Sequence, residues 1–368
     1  MEKIPFLDLS IQDKEERNAL LSSIEVVFKH GRIILGPEVL EFEKKIASYC
    51  HRKYAIGVAS GTDSLILSLR ALGVKKGDKI ITNAYSWIAT ANAIFSLGAS
   101  PVFADILPDL TLDPHSVRNL ITEKTKGIIA VNYSGRICDF QKLQLIADEN
   151  ELFLIEDASQ SFGAKRNNCI AGSFGHISCI SLNPMKTLAA CGEAGVVLTN
   201  NKSIKELIEI DRYNGMENKT ICIKPGLNSR IDTLQAAILL HRFKMINQII
   251  DKRRKIAQYY NQELKSSGIH VFEDQKDMCS SYFSYFIETK HRDALLSYLD
   301  SRKIECKIRD SDYLPAQPAY RTCKNNAIYA NKLYPNLLLL PMSENLQKSQ
   351  IIRIINNINQ FRSNDRKL

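Results

Sequence analysis

Residues 152–188 read LFLIEDASQSFGAKRNNCIAGSFGHISCISLNPMKTL. Leu152 to Ile155 is a short apolar run that predicts a buried strand, and it breaks into Glu156, Asp157 and polar residues at its carboxyl end. That is where open α/β sheets keep their ligands. A second strand-like run, Ile177 to Leu182, follows a Gly-rich turn and delivers Lys186 onto a loop. A carboxylate at a strand end with a lysine nearby has two readings. One is a structural ion pair, which is common. The other is a pyridoxal phosphate site, with Lys186 forming the Schiff base and Asp157 pairing with the protonated pyridine nitrogen. This stretch alone leaves both open.

Upstream, residues 54–82 read strand, tight turn, helix, strand. Tyr54 to Ala59 is extended, Leu65, Leu69 and Leu72 share one helical face, and Lys79 to Thr82 is extended again. Between the first strand and the helix lie Ser60, Gly61, Thr62 and Asp63. Gly61 lets the backbone approach a ligand, and the free N–H groups of the first helical turn suit a phosphate. Ser60 or Asp63 could equally be a plain helix cap. The turn lacks the GxGxxG and GxxxxGK[ST] spacings, which argues against dinucleotide folds and nucleotide hydrolases.

Strands and helices then alternate. Helices are expected over Tyr85–Leu97, Pro114–Ile121 and Asp139–Asp148, and strands over Pro101–Ala104, Gly127–Asn132 and Ala194–Thr199. Such alternation implies an α/β protein with a largely parallel sheet covered on both faces. After a helix over Lys202–Tyr213, the segment KPGLNSRIDTLQAAILLHRF opens one long helix whose charged continuation runs to about Leu264. From Ser281 the pattern is a smaller α/β unit, with Tyr282–Glu288 and Leu337–Leu340 extended and Arg292–Arg302 and Ser349–Phe361 helical. The expected division is a large domain over 1–245 and a small one over 246–368. Trp87, the single tryptophan, follows the strand ending at Thr82; it is either core filler or a flat ring set against a cofactor.

At 368 residues the chain suits two such units, and 45% hydrophobic with 24% charged residues is ordinary for a globular protein. Nine cysteines with no CxxC pair indicate neither a zinc site nor a disulfide framework, so no metal is expected and a reduced, cytoplasmic setting is. No apolar run is long enough to cross a bilayer, so no membrane partner is expected. The net charge of +9 is spread along the chain, with one dense run at Lys252–Lys255 that reads as a solvated helix face. It favours an anionic small substrate over nucleic acid.

Taken together, several ordered motifs resemble the DegT/StrS-type sugar aminotransferases of the fold-type I pyridoxal phosphate class. They are PFLDL, ILGPEVLEFEKKIASYC, SGTDSL, SWIAT, ASPVFADI, IEDASQSFGA, SLNPMKTL, CGEAG, GLNSRIDTLQAAIL and, more loosely, LPAQPAY. The resemblance covers nearly the whole chain and implies a mostly parallel seven-stranded sheet between helices plus a smaller C-terminal α/β domain. It further implies that Lys186 carries the cofactor, Asp157 faces the pyridine nitrogen, Gln160 bonds the 3-hydroxyl oxygen and Trp87 stacks on the ring. Gly61, Thr62, Asp63 and Ser181 would hold the phosphate, with Asn228 contributed by the neighbouring subunit of a homodimer whose active site is shared. Arg230 and Tyr313 are implied at the substrate.

By the same resemblance, glutamate would donate an amino group to a keto sugar, nucleotide-linked, for surface glycan synthesis. Family dehydratases carry histidine where this chain has Lys186, which favours transamination. Dehydration, amination of a free keto sugar acid, and a non-catalytic regulator remain as alternatives. The chain departs from the family pattern at Ser134-Gly135-Arg136, at Gly192-Glu193-Ala194-Gly195, and at Pro315, where a histidine is expected. These departures fall away from the cofactor motifs and bear on the sugar end. His176 and His241 read as structural.

Overall fold

A computed structural model of the chain describes residues 2–218, 220–266 and 268–365. Its centre is a seven-stranded sheet of β1 (Tyr54–Val58), β2 (Lys79–Asn83), β3 (Ser100–Ala104), β4 (Thr125–Val131), β5 (Phe153–Asp157), β6 (Ile177–Ser181) and β7 (Gly195–Thr199). Their spatial order is β1-β7-β6-β5-β4-β2-β3. Pairings among β3, β2, β4, β5 and β6 are parallel, whereas β7 runs antiparallel to both β1 and β6. Since β7 alone is reversed, the other six strands end on one edge. That edge collects the loops after Val58, Asn83, Asp157 and Ser181, as open parallel sheets do.

Helices cover both faces. On one side α2 (Pro37–Tyr49), α6 (Phe140–Glu149) and α8 (Thr233–Phe243) pack on Ile128, Leu154 and Ile180; on the other α3 (Gly61–Ala71), α4 (Ala89–Phe95) and α7 (Lys202–Asp211) pack on Ile129, Ile155 and Cys179. Alternation along β5 decides what its two acids do. Glu156 points to the first side and is fully buried. It accepts hydrogen bonds from Asn132 Nδ2 (2.8 Å), Gly172 N (3.0 Å), Phe174 N (2.9 Å) and Ser178 Oγ (2.6 Å). Burial raises its carboxyl pKa, and the bonds from Ser178, Gly172 and Phe174, with the Arg52 guanidinium, pull the other way. Asp157, one residue on, turns to the opposite face.

The expected elements are present with shifted ends. The helix expected over Tyr85–Leu97 begins only at Ala89, because Tyr85 forms a bridge with Tyr313 and the Ser86 N–H is taken by the Asp312 carbonyl at 2.7 Å. The long helix is two: after α8, i→i−3 bonds at Lys244 and Met245 tighten the chain before α9 (Ile246–Ser266). Tyr282 has φ +48 and lies outside the strand, which starts at Tyr285. The sequence reading also omitted the helix Lys14–His30, capped by Asp13 and closed by left-handed Gly31.

A second body surrounds the antiparallel strands His270–Val271, Tyr285–Glu288 and Leu337–Leu340. Its core holds Ile256, Tyr260 and Leu264 of α9 with Leu295, Leu299, Ile354 and Ile358, while the start of the same helix, Ile246 and Ile250, lies in the core of the sheet. Ile4, from the other end of the chain, also joins this second core and pairs with Ile304.

Candidate active site

Over the carboxyl edge of the sheet lies a cavity of about 800 Å³. Its floor comes from strand ends and the turns after them: Ser60, Gly61, Thr62, Asp157, Gln160 and Ser181. Its outer wall comes largely from the second body, through Phe283, Ser284, Glu305, Lys307 and Arg309. Lys186 stands between the two.

At the turn after β1, Ser60 caps α3 by accepting the Asp63 N–H at 3.0 Å. Among the described residues the N–H groups of Gly61 and Thr62 have no hydrogen-bond acceptor, and both residues line the cavity. Asp63 does not reach it. Its N–H is used by the cap and its Oδ2 accepts from Ser229 Oγ at 2.7 Å. Gly61 is pressed against the end of β6: a Cβ added there would sit 2.5 Å from Ser181 Cβ and 3.0 Å from Ser181 Oγ. Ser181 in turn donates its N–H to Ser159 Oγ at 3.1 Å. The result is a tight cradle of open N–H groups and a serine hydroxyl at a helix N-terminus, which suits a phosphate.

Asp157 lies deeper and is almost wholly buried. Its Oδ1 accepts the Ser159 N–H at 3.1 Å and its Oδ2 accepts from Thr90 Oγ1 at 3.3 Å. Gln160 is fixed by its Oε1, which accepts the Ser134 N–H at 3.0 Å, leaving its amide nitrogen without a partner among the described residues. Trp87 stands 49% exposed at the cavity wall, so it is not core filler.

Lys186 sits in the loop that turns β6 back into antiparallel β7, which holds it over the strand ends. The side-chain amine makes no hydrogen bond or ion pair among the described residues; Nζ lies 4.6 Å from the ring centre of Phe283. Burial lowers its pKa to about 8, with the Asp157 carboxylate pulling it up and the Arg309 guanidinium pushing it further down. An amine so placed is neutral in a useful fraction of molecules near neutral pH. The structural ion-pair reading of Asp157 and Lys186 is therefore not the one the geometry gives.

Gly61, Thr62, Trp87, Asp157, Gln160, Ser181 and Lys186 thus meet around one cavity. Asn228, Arg230 and Tyr313 do not line it. Asn228 is exposed, accepts from Arg230 Nη2 at 2.6 Å, and Arg230 stacks over the Tyr213 ring at 4.5 Å. Tyr313 is in the core, stacked on Tyr334 at 4.4 Å, and burial pushes its hydroxyl pKa up to about 12. His176 is used inside the fold, its Nδ1 accepting the Leu154 N–H at 3.0 Å. Thr90, Ser159, Phe283 and Arg309 were not singled out from the sequence. Ser159 and Thr90 had a legible signal, as residues of the acidic motif and of SWIAT, with Thr90 in the first turn of α4; Phe283 and Arg309 come from loops brought in by tertiary contacts.

The residues present fit pyridoxal phosphate. The cradle that a Cβ at Gly61 would fill, a buried carboxylate, an amide with its nitrogen open and an unpaired amine face one space. Among the described residues, no group of three or more His, Cys, Asp or Glu is arranged to hold a metal ion.

Comparison with known proteins agrees. Residues 13–359 match the DegT/DnrJ/EryC1/StrS aminotransferase family. UDP-2-acetamido-2-deoxy-3-oxo-D-glucuronate aminotransferase of Pseudomonas aeruginosa is 34% identical over 349 residues, which is 95% of this chain and 97% of that protein. The crystal structure of a DegT DnrJ EryC1 StrS aminotransferase from Brucella abortus is 32% identical and superposes with a TM-score of 0.92, covering 98% of this chain and 99% of that one. That of ntda from Bacillus subtilis with bound cofactor PMP is 27% identical with a TM-score of 0.90, covering 99% of this chain and 86% of that one.

Proposed function

Given that this chain belongs to the DegT/DnrJ/EryC1/StrS aminotransferase family and is a pyridoxal phosphate-dependent aminotransferase of fold-type I, we propose that it transfers the amino group of glutamate to a nucleotide-linked keto sugar for surface glycan synthesis. The observation that carries this reading is the unpaired amine of Lys186, its pKa lowered to about 8, in the same cavity as Asp157 and the open N–H groups of Gly61 and Thr62.

When bound, pyridoxal phosphate supplies an electron sink for the pair left behind when a proton leaves the donor's α-carbon. In this reading Lys186 Nζ anchors the cofactor, then takes that proton and returns it one position along, for which a pKa near working pH is suited. Asp157, oriented by Ser159 N–H and Thr90 Oγ1, would keep the pyridine nitrogen protonated. Gln160, with its amide nitrogen open, would hold the 3-oxygen, Trp87 the ring, and Gly61, Thr62 and Ser181 the phosphate. Phe283, from the second body, sets its ring 4.6 Å from Nζ and covers that side of the amine.

We further propose a homodimer. Leu21, Phe28, Ile34 and Leu40, all within the first forty residues, expose between 56% and 60% of their surface, apolar area that a partner subunit would cover. Asn228 and Arg230 lie outside their own cavity, and in this reading they are offered to a partner's site. Asp63 has no free group for the phosphate beyond its position in the turn. The division at residue 245 rests on the break between α8 and α9. A cytoplasmic setting rests on nine cysteines that are all unpaired. Among the described residues no helix is long and apolar enough to cross a membrane.

The test is transfer of labelled nitrogen from glutamate to a panel of nucleotide-linked keto sugars, followed by product mass. Label in an amino sugar with the wild-type protein, and none with Lys186→Ala, is the expected result. A wild-type protein that binds the cofactor yet labels no sugar would overturn the assignment.

A further inference from the structure

Four cationic side chains line the cavity, and three are committed. Lys186 belongs to the cofactor. Arg253 is held by Glu344 through Nε at 2.9 Å and Nη2 at 2.7 Å, and Lys307 by Glu305 at 2.7 Å. The fourth, Arg309, makes no side-chain hydrogen bond among the described residues. Its nearest carboxylate is Asp312, with Nη1 3.8 Å from Oδ2, an ion contact too long for a hydrogen bond.

That guanidinium is not loose. Arg309 and Asp312 bracket a single 3-10 turn, Asp310–Asp312, on which side chains three apart lie over each other. Asp312 is fully buried, and its Oδ2 accepts from the Tyr133 hydroxyl at 2.5 Å. Its N–H bonds the Arg309 carbonyl at 3.0 Å, and its own carbonyl takes the N–H of Ser86, beside Trp87, at 2.7 Å. Leu314 N–H to Ala84 O (2.9 Å) and Arg292 to Asp310 (2.8 Å) clamp both sides of the turn. A rigid mount thus presents a guanidinium, 24% exposed, with its donors open. For a structural arginine this arrangement does little, because among the described residues no protein acceptor lies within hydrogen-bond reach of the guanidinium. For a binding residue it is apt: the planar fork matches a carboxylate or a phosphate.

We propose that Arg309, positioned by Asp312, is a specificity-determining residue of this aminotransferase, taking a carboxylate or phosphate that the substrate carries close to the carbon exchanging its amine. Dicarboxylic amino donors or keto sugar acids are thereby favoured over neutral counterparts. The inference rests on reading the cavity as an aminotransferase site, but Arg309 is on this chain's own divergent loop, between Lys307, which bridges to Leu339, and Pro315.

The experiment uses the holoenzyme, with Arg309→Gln, Arg309→Lys and Asp312→Asn. Affinities for glutarate and inorganic phosphate are measured by calorimetry, and each half-reaction is followed alone. Arg309→Gln is expected to weaken the better-bound probe about 10- to 100-fold, the worth of a charge-assisted fork, with Arg309→Lys restoring part of it. Cofactor absorbance should stay unchanged in both. Asp312→Asn should raise KM more than it lowers kcat. Loss confined to glutamate, with alanine unaffected, places the anion on the donor; loss confined to keto sugar acids, with neutral keto sugars unaffected, places it on the acceptor. Either supports the proposal. Binding of both probes by Arg309→Gln within threefold of wild type overturns it, as does loss of probe and cofactor together. Because probe binding needs no keto sugar, a protein that fails to label any sugar still gives a reading on Arg309.

Discussion

The floor of the cavity and its mouth are built by opposite means. On the floor, the side chains of Asp157 and Gln160 are held by the backbone N–H groups of Ser159 and Ser134, and the Ser181 backbone is fixed by its N–H to Ser159 Oγ. At the mouth, Lys307 and Glu305 form a half-exposed ion pair, Arg309 has open donors and Trp87 is 49% exposed. The floor is determined by the sheet and tolerates little change. The mouth hangs on loops of a second body and can be re-cut for a different substrate without touching the chemistry beneath.

The sharpest way to break this contrast is at its centre. Lys186→Ala removes the amine that both anchors the cofactor and moves the proton, so transamination should fall by about 10⁴-fold or more, read as label transfer from glutamate. The absorbance of lysine-bound cofactor should vanish with it. Activity within tenfold of wild type would mean that the floor does not carry the reaction.

Asp312 lies where floor and mouth join, and it gives the next largest effect. Burial raises its carboxyl from 3.8 to about 6, against the opposing pull of Arg309, the Tyr133 hydroxyl and Lys186. The folded state therefore binds a proton more tightly than the unfolded one. Its contribution to stability is full below pH 4 and is lost as pH rises through 6, at most about 3 kcal/mol across that window. Asp312→Asn should flatten this part of the stability curve, measured by urea unfolding at pH 4, 5 and 6. An unchanged slope would show that the carboxylate is comfortably ionised between Tyr133 and Arg309.

Gly61→Ala tests the floor without altering any charge. Its new Cβ would meet Ser181 Cβ at 2.5 Å, and backbone at a strand end cannot yield cheaply. Overpacking of this kind costs about 1–3 kcal/mol. It should appear as cofactor affinity lowered about 10- to 100-fold, with the apoprotein still folded. Equilibrium dialysis of pyridoxal phosphate decides it.

The same contrast explains what could be read from the sequence. Strand ends and Gly-containing turns are local patterns, so the parallel sheet, the turn at Ser60–Asp63 and the loop carrying Lys186 were legible. The two acids of β5 were not separable by type; the alternation of the strand sends Glu156 into a fully satisfied core site and Asp157 into the cavity. Phe283 and Arg309 reach the site only because chain segments distant in sequence pack together, and periodicity carries no such information. Tyr313 illustrates the limit: adjacent to a loop that lines the mouth, it turns inward onto Tyr334.

The gentlest probe is at the rim. Glu305 accepts from Lys307 at 2.7 Å and lies 3.4 Å from Lys3, and the Lys307 contact first, with the Phe6 N–H behind it, lowers its pKa to about 2. The stabilisation this implies is present above the unfolded carboxyl range and is lost as pH falls through about 2. Because the pair is open to water, it amounts to the about 0–1 kcal/mol of a surface ion pair. Glu305→Gln should therefore lower the unfolding free energy by less than about 1 kcal/mol at neutral pH, an effect that fades at high salt, while freeing Lys307 for the substrate. With the floor intact, kcat should hold steady and KM for an anionic keto sugar should fall or stay level. If Glu305→Gln instead lowered kcat as much as a floor substitution does, the mouth would be part of the catalytic machinery and the division between the two regions would fail.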